Sequence, residues 1–214
     1  MKLCLLMLLV AVSAFAAPPK LTYIRSFPKS DPEYFQIQID HSGSLEYKES
    51  PTDDHPVKAQ LQEAETTPLF DAAAKLDYFK SSIESGLKVA NTGKKTFRYE
   101  DENGSASETV FNYSTNETAR ELLQRFENIA STEHAYLELD RTVHFDKLGV
   151  NDALATIEAL WLNKQLAAPQ QFIPLLTRIS THESFMHLVR ERAARLKDQF
   201  QGTTTPLASD TRQK

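Results

Sequence analysis

Lys94-Lys-Thr-Phe-Arg-Tyr-Glu100, Asp101-Glu-Asn-Gly104 and Thr109-Val-Phe-Asn-Tyr113 lead directly into Ala119, Leu122, Leu123, Phe126 and Ile129. The first and third runs alternate aromatic with polar residues, as half-buried strands do. Asn103-Gly104 between them is a hairpin signal, because both residue types tolerate positive φ. Ser114 stands three residues before Glu117 as in a capping box, and the apolar residues from Ala119 onward repeat at helical spacing. An apolar-faced hairpin joined to an amphipathic helix must bury one surface against the other. Residues 94–129 therefore predict a sheet crossed by a helix, with Phe126 buried between them and Glu127, one position round, indifferent to substitution.

Upstream segments extend the same sheet. Leu21–Phe27 is a first strand, ended by Pro28 and Pro32. Phe35, Ile37 and Ile39 alternate with Gln36, Gln38 and Asp40, and His41-Ser42-Gly43 turns the chain into Leu45-Glu-Tyr-Lys48. Pro51–Pro56 is an acidic loop, and Val57, Ala59 and Leu61 mark a further short strand. Leu69, Phe70, Ala73, Leu76 and Phe79 then form a helical stripe, with Thr67 as its cap and Pro68 in the first turn. An earlier start near Glu63 would place Pro68 in the helix interior. Ser85–Gly93 is a loop leading into the hairpin.

The last third reads as successive helices. One restarts or continues near Ser131 through Tyr136, Leu137, Val143 and Leu148 to Gly149. Asn151 caps a second, carrying Leu154, Ile157, Trp161 and Leu162, and Pro169 opens a third with Phe172, Leu175, Leu176 and Ile179. Ser180 or Thr181 caps a fourth with Phe185, Leu188, Val189, Leu196 and Phe200, ended by Gly202. Strands segregated from helices define an α+β protein. The expected architecture is an antiparallel sheet of about five strands on two helices, followed by a helical C-terminal array. Its parts are 18–130 (α+β), 131–202 (helical) and a polar, disordered tail over 203–214.

The order Phe35-Gln-Ile-Gln-Ile-Asp-His-Ser-Gly-Ser-Leu-Glu-Tyr47, Lys75-Leu-Asp-Tyr-Phe79, Thr96-Phe-Arg-Tyr99 and a helix from Glu117 resembles a small domain of unknown function found in exported bacterial proteins. That resemblance covers about Tyr34–Ile129, implies a hairpin with a closing helix, and brings no activity with it. The helical third has no counterpart in it.

Lys2, the apolar run Leu3–Val12 and Ala14-Phe-Ala16 resemble a cleaved signal peptide over 1–17, cut after Ala16 or Ala17. Export to the periplasm or beyond the cell is the expectation. Cys4, the only cysteine, lies inside that segment, so the chain has no internal disulfide and its exported part must be held by its core. Without Lys2, one of 24 basic residues set against 29 acidic ones, the exported chain carries about −6 charges. That balance excludes a nucleic-acid partner, which needs a basic surface, and no later run is long enough to cross a membrane.

No motif points to chemistry. His182-Glu183 followed by His187 lacks the four-residue spacing that puts two zinc ligands on one helix face. His134 and His144, among Glu133, Glu138, Asp140 and Asp146, read as a solvated helix face. His41 and His55 lie in turns without spaced partners. Arg190, Arg192, Arg195 and Lys197 alternate with acids and suit the negative end of a helix. Three Asn-x-Ser/Thr sequons, at Asn103, Asn112 and Asn116, are explained by turns and caps. No Gly-x-Ser-x-Gly elbow or Gly-rich phosphate loop is present. Catalytic, cofactor-binding and metal-binding residues are therefore expected to be none. Tyr34, Tyr47, Tyr99 and Tyr113, all in strands, are expected to pack inward rather than present an aromatic face. The expected function is that of a non-enzymatic binding or structural module with a protein partner. The alternatives are a hydrolase with a dispersed site and an inhibitor or assembly factor for an exported partner.

Overall fold

The computed structural model describes residues 17–202; the expected signal peptide, but for Ala17, and the polar tail lie outside them. The chain is α+β. Six strands rather than five form one antiparallel sheet: β1 Lys20–Ser26, β2 Tyr34–Asp40, β3 Ser44–Lys48, β4 Val57–Gln60, β5 Lys94–Glu100 and β6 Ala106–Phe111. Their order is β4-β3-β2-β1-β5-β6. The meander β1–β4 builds one half, and the chain then crosses to pair β5 with the free side of β1. Alternation gives the sheet one apolar face: Leu21, Tyr23, Phe35, Ile37, Ile39, Leu45, Tyr47, Phe97 and Phe111 are all buried. That face packs on two helices, as a one-sided antiparallel sheet requires.

The first, α1 (Glu63–Lys75), starts four residues earlier than Thr67 and holds Pro68 in its interior. Glu65 reaches back to accept the Gln62 N–H at 2.9 Å, a first-turn closure that Thr67 lacks. That closure, with the burial of Leu69, Phe70 and Ala73, outweighs an interior proline costing about 3 kcal/mol. The helix stops before Phe79. Asp77, Tyr78 and Phe79 all adopt left-handed φ, from 49° to 66°, which costs non-glycine residues about 1–2 kcal/mol each. The turn stacks Tyr78 on Tyr99 at 4.4 Å and drives Phe79 against Phe97 at 5.3 Å.

The second, α2 (Glu117–Phe145), is one unbroken helix of 29 residues with no restart near Ser131. Neither glycine nor proline interrupts it. Asn116, not Ser114, is its cap, accepting the Ala119 N–H at 3.1 Å. In the hairpin before it only Gly104 takes positive φ, and β6 begins at Ala106, three residues before Thr109.

Beyond α2 come α3 (Val150–Leu162), a 3-10 turn Pro169–Phe172, α4 (Ile173–Thr181) and α5 (His187–Gly202). Asn151 lies inside α3 rather than capping it, because its carbonyl and side-chain oxygens accept from Arg192. Ser180 and Thr181 bond back to carbonyls within α4, so α5 starts at His187. Leu148, Leu162 and Leu188, read as core, are exposed. None of the helices is long and apolar enough to cross a membrane, among the described residues.

Two apolar cores result. One lies between the sheet, α1 and the first half of α2, as far as Ala130; the other gathers α3–α5 on the second half, from Ala135. Residues 131–134 of α2 stand between them.

Candidate functional site

Two partly buried polar clusters lie along the sheet-facing side of α2. The first grows from β1. Its register sets Arg25 directly between Phe35 of β2 and Lys95 of β5. Side chains opposite each other in a sheet share a face, so two cations lie side by side. Arg25 spreads over the Phe35 ring at 4.6 Å. Glu127 of α2 closes over them, accepting from Tyr23 Oη at 2.6 Å and from Arg25 Nη1 at 2.9 Å. Lys95 is 6% exposed. Its Nζ lies within 3.3 Å of Thr92 O and Oγ1, Gly93 O and Asn112 O. Burial lowers the Lys95 pKa, Glu127 opposes that, and Arg25 adds to it. A cavity of about 270 Å³ opens beside Lys95, Tyr113, Arg120, Leu123 and Glu127. A buried lysine of lowered pKa at a cavity is a candidate nucleophile. Here four oxygens surround its nitrogen, while Glu127 clamps α2 to Tyr23 and Arg25 of the sheet.

The second cluster lies where the two cores meet. Tyr47 Oη donates to Glu49 Oε1 at 2.8 Å, and His134 Nδ1 lies 2.7 Å from the same oxygen. The imidazole holds the Glu49 carboxyl below its ordinary range, and Glu49 raises the His134 pKa in return. Beside them Glu133 is 0% exposed. Its Oε1 accepts from Gln171 Nε2 at 2.9 Å, while Oε2 has no partner among the described residues. Burial pushes this carboxyl up to about 7, and the Gln171 bond opposes the shift. Thr132 Oγ1 accepts the Ala167 N–H at 3.0 Å, and Glu65 Oε1 accepts that of Ala168 at 2.9 Å. These contacts form a polar layer between α1, α2 and the segment that follows α3. That segment has left-handed residues at both ends, Lys164 (φ 57°) and Ala168 (φ 40°). A cavity of about 230 Å³ lies against it, walled by Glu65, Leu69, Ile129, Lys164 and Ala167.

The other candidates stay apart. His182 and Glu183 lie between α4 and α5; His182 Nδ1 accepts the Ser184 N–H, and His187 sits 3.5 Å from Glu191. His144 contacts Asp140 and Arg178. His41 packs on Phe70, and the His55 N–H is held by Asp53. No three His, Cys, Asp or Glu residues are grouped to hold a metal, among the described residues. Arg192 of the basic α5 run pairs with Glu158 at 3.3 Å, bracing α5 on α3. Asn112 and Asn116 spend their side chains on Thr92, Ala90 and the α2 cap. Of the four tyrosines, Tyr47 is fully buried and Tyr99 stacks on Tyr78, whereas Tyr113 is 38% exposed.

Reading Glu133 as part of a solvated face is therefore overturned, and Glu127, expected to be indifferent to substitution, is bonded to Tyr23 and Arg25. Both carried a signal. Arg25 and Lys95 have the strand parity of Tyr23 and Phe97, and Glu133 continues the stripe Phe126, Ile129, Ala130 at helical spacing. Neither the scan against protein-family models nor the search of curated proteins finds a match for this chain.

Proposed function

We propose that this chain is an exported, non-enzymatic interaction module that engages a protein partner through one end of its helical array. The observation that carries this is four large apolar side chains in solvent there: Phe145 (87% exposed), Leu148 (79%), Met186 (55%) and Leu188 (61%). Phe145 and Leu148 flank a turn in which Asp146 Oδ1 accepts the Leu148 and Gly149 N–H groups. Met186 ends the α4–α5 connection and Leu188 lies in the first turn of α5, and Lys147 over the Phe185 ring at 5.8 Å ties the two segments together. Exposed apolar groups held together on a rigid frame mark interaction surfaces. Lys147, Arg178, Asp146 and Glu183 at this end are in no ion pair among the described residues, so its charges balance and the apolar side chains are what a partner would cover. The internal pairing of Glu127, Lys95, Glu49 and His134 supports the non-enzymatic part.

Phe145→Ser combined with Leu148→Ser tests the docking surface. Both side chains lie in water, so the thermal midpoint should hardly move. Affinity for a protein cross-linked to the wild-type chain in its own host should fall at least about 30-fold, as loss of an interface hot spot does. An unchanged cross-linked species would refute this surface.

Export rests on the apolar segment before Ala17 and on the likeness of Tyr34–Ile129 to domains of exported proteins. Intact mass of the protein from its native host should correspond to a chain beginning at Ala17 or Pro18. A chain beginning at Met1 would contradict it.

A further inference from the structure

We propose that the polar layer around Glu133 is a proton-controlled latch between α2 and the segment 163–172. Three observations converge on it, none of which depends on the docking surface. Glu133 is sealed from solvent at the point where one core ends and the other begins. Glu133 Oε2, Gln170 Nε2 and Gln171 Oε1 are buried without a hydrogen-bond partner among the described residues. Such groups are rare in folded proteins and mark places held against a cost. Finally, the segment 163–172 holds two non-glycine residues at left-handed φ, Lys164 and Ala168, a conformation kept at a cost that opening would relieve.

With its proton on, the carboxyl is a neutral hydrogen-bonding group beside two amide side chains and is tolerated in the layer. With its proton off, a bare charge faces carbon and an amide that satisfies only one of its oxygens. The surrounding titratable groups offer no counter-charge. From α1 comes Glu65, which holds the Ala168 N–H; from β3 comes the Tyr47 phenol and from just beyond it Glu49; from α2 itself come His134 and the Tyr136 phenol. His134 is bonded to Glu49, and Gln170 and Gln171 of the 3-10 turn do not titrate.

The direction of the response follows from linkage. In the closed layer Glu133 holds its proton up to about pH 7, whereas a solvated glutamate releases it near 4.5. The open form therefore binds fewer protons between these values, and opening becomes more favourable as pH rises. The constant grows up to about tenfold per pH unit and levels off above 7. The His134–Glu49 pair weakens in the same direction, because His134 loses the proton that Glu49 favours. A control must separate the two.

The Ala167 and Ala168 amides, bonded to Thr132 and Glu65, report the opening. Hydrogen exchange of the full chain should be followed at both amides from pH 5.5 to 8 and expressed relative to an unstructured chain at the same pH. Protection in the wild type should fall about 30-fold over that range. Glu133→Gln, with the same shape and no titration, should hold protection nearly constant. His134→Gln should keep most of the fall. A flat wild-type profile overturns the latch, and so does a fall that persists in Glu133→Gln and vanishes in His134→Gln. Failure of Glu133→Gln to fold at pH 6 overturns it as well, since a layer built for the neutral acid accepts its amide.

Discussion

Phe126→Ala is expected to destabilise the chain by roughly 3–5 kcal/mol, as removal of a buried phenylalanine does. The ring is 1% exposed and lies 5.2 Å from Tyr23 and 5.7 Å from Phe97. It is the point at which α2 meets β1 and β5. Tyr23, Phe79 and Phe111 pack around Phe97 on the same face, so each neighbour is already braced by others and cannot move in to fill the space. A void that cannot collapse gives the upper part of the range for such substitutions. The loss is a large part of the ~5–15 kcal/mol by which a domain of this kind is folded. Chemical denaturation measures it; a midpoint displaced by less than the equivalent of about 1 kcal/mol would dissolve the hairpin–helix core.

Glu127→Ala should cost roughly 2–4 kcal/mol. It leaves the Tyr23 hydroxyl, on a side chain with 0% exposure, without an acceptor, which alone costs about 1–3 kcal/mol. It also leaves Arg25 and Lys95 adjacent with no carboxylate between them, a repulsion Glu127 now offsets. Arg25 and Glu127 are 22% and 26% exposed, so water screens part of that second contribution. Tyr23→Phe removes the hydroxyl, and in that background Glu127→Ala should cost less by about 1 kcal/mol or more. Glu121→Ala, on the exposed side of the same helix, should stay within about 0.5 kcal/mol. If Glu121→Ala and Glu127→Ala denature alike, the clamp has no energetic weight.

The inner face of the sheet is readable from alternation alone, because a period of two leaves a strand residue only two directions. Phe97 and Phe111 follow from it, and by the same parity so do Arg25 and Lys95. A charge at such a position is easily taken for the frayed end of a strand, and for Arg25 only the arrival of Glu127, 102 residues away, gives it a reason to turn inward. Glu133 was hidden by a different assumption. Its place on the buried stripe shows only if α2 runs unbroken through Ser131, and a break there erases the helical phase linking it to Phe126. Most of the candidate site was invisible for that reason. The left-handed turn at Asp77–Phe79 had no signal at all, since none of its residues is a glycine. Tertiary contacts of Tyr78 and Phe79 impose it. The start of α1 was decided by Gln62 and Glu65, whose closure outweighed the proline that argues for Thr67.

One consequence concerns how such a chain can be divided. Helix α2, roughly 40 Å long at ~1.5 Å per residue, is owned by both cores. A fragment ending at Ile129 would keep the sheet but lose Ala167 and Ala168, which fill its core from the far side of the chain. A fragment beginning at Ser131 would keep α3 to α5 but start as a frayed half-helix without its Asn116 cap. Each piece alone would leave apolar surface on its part of α2 or its core uncovered. The two halves of this protein share a spine, so a distortion of α2 in one half is felt by the packing of the other.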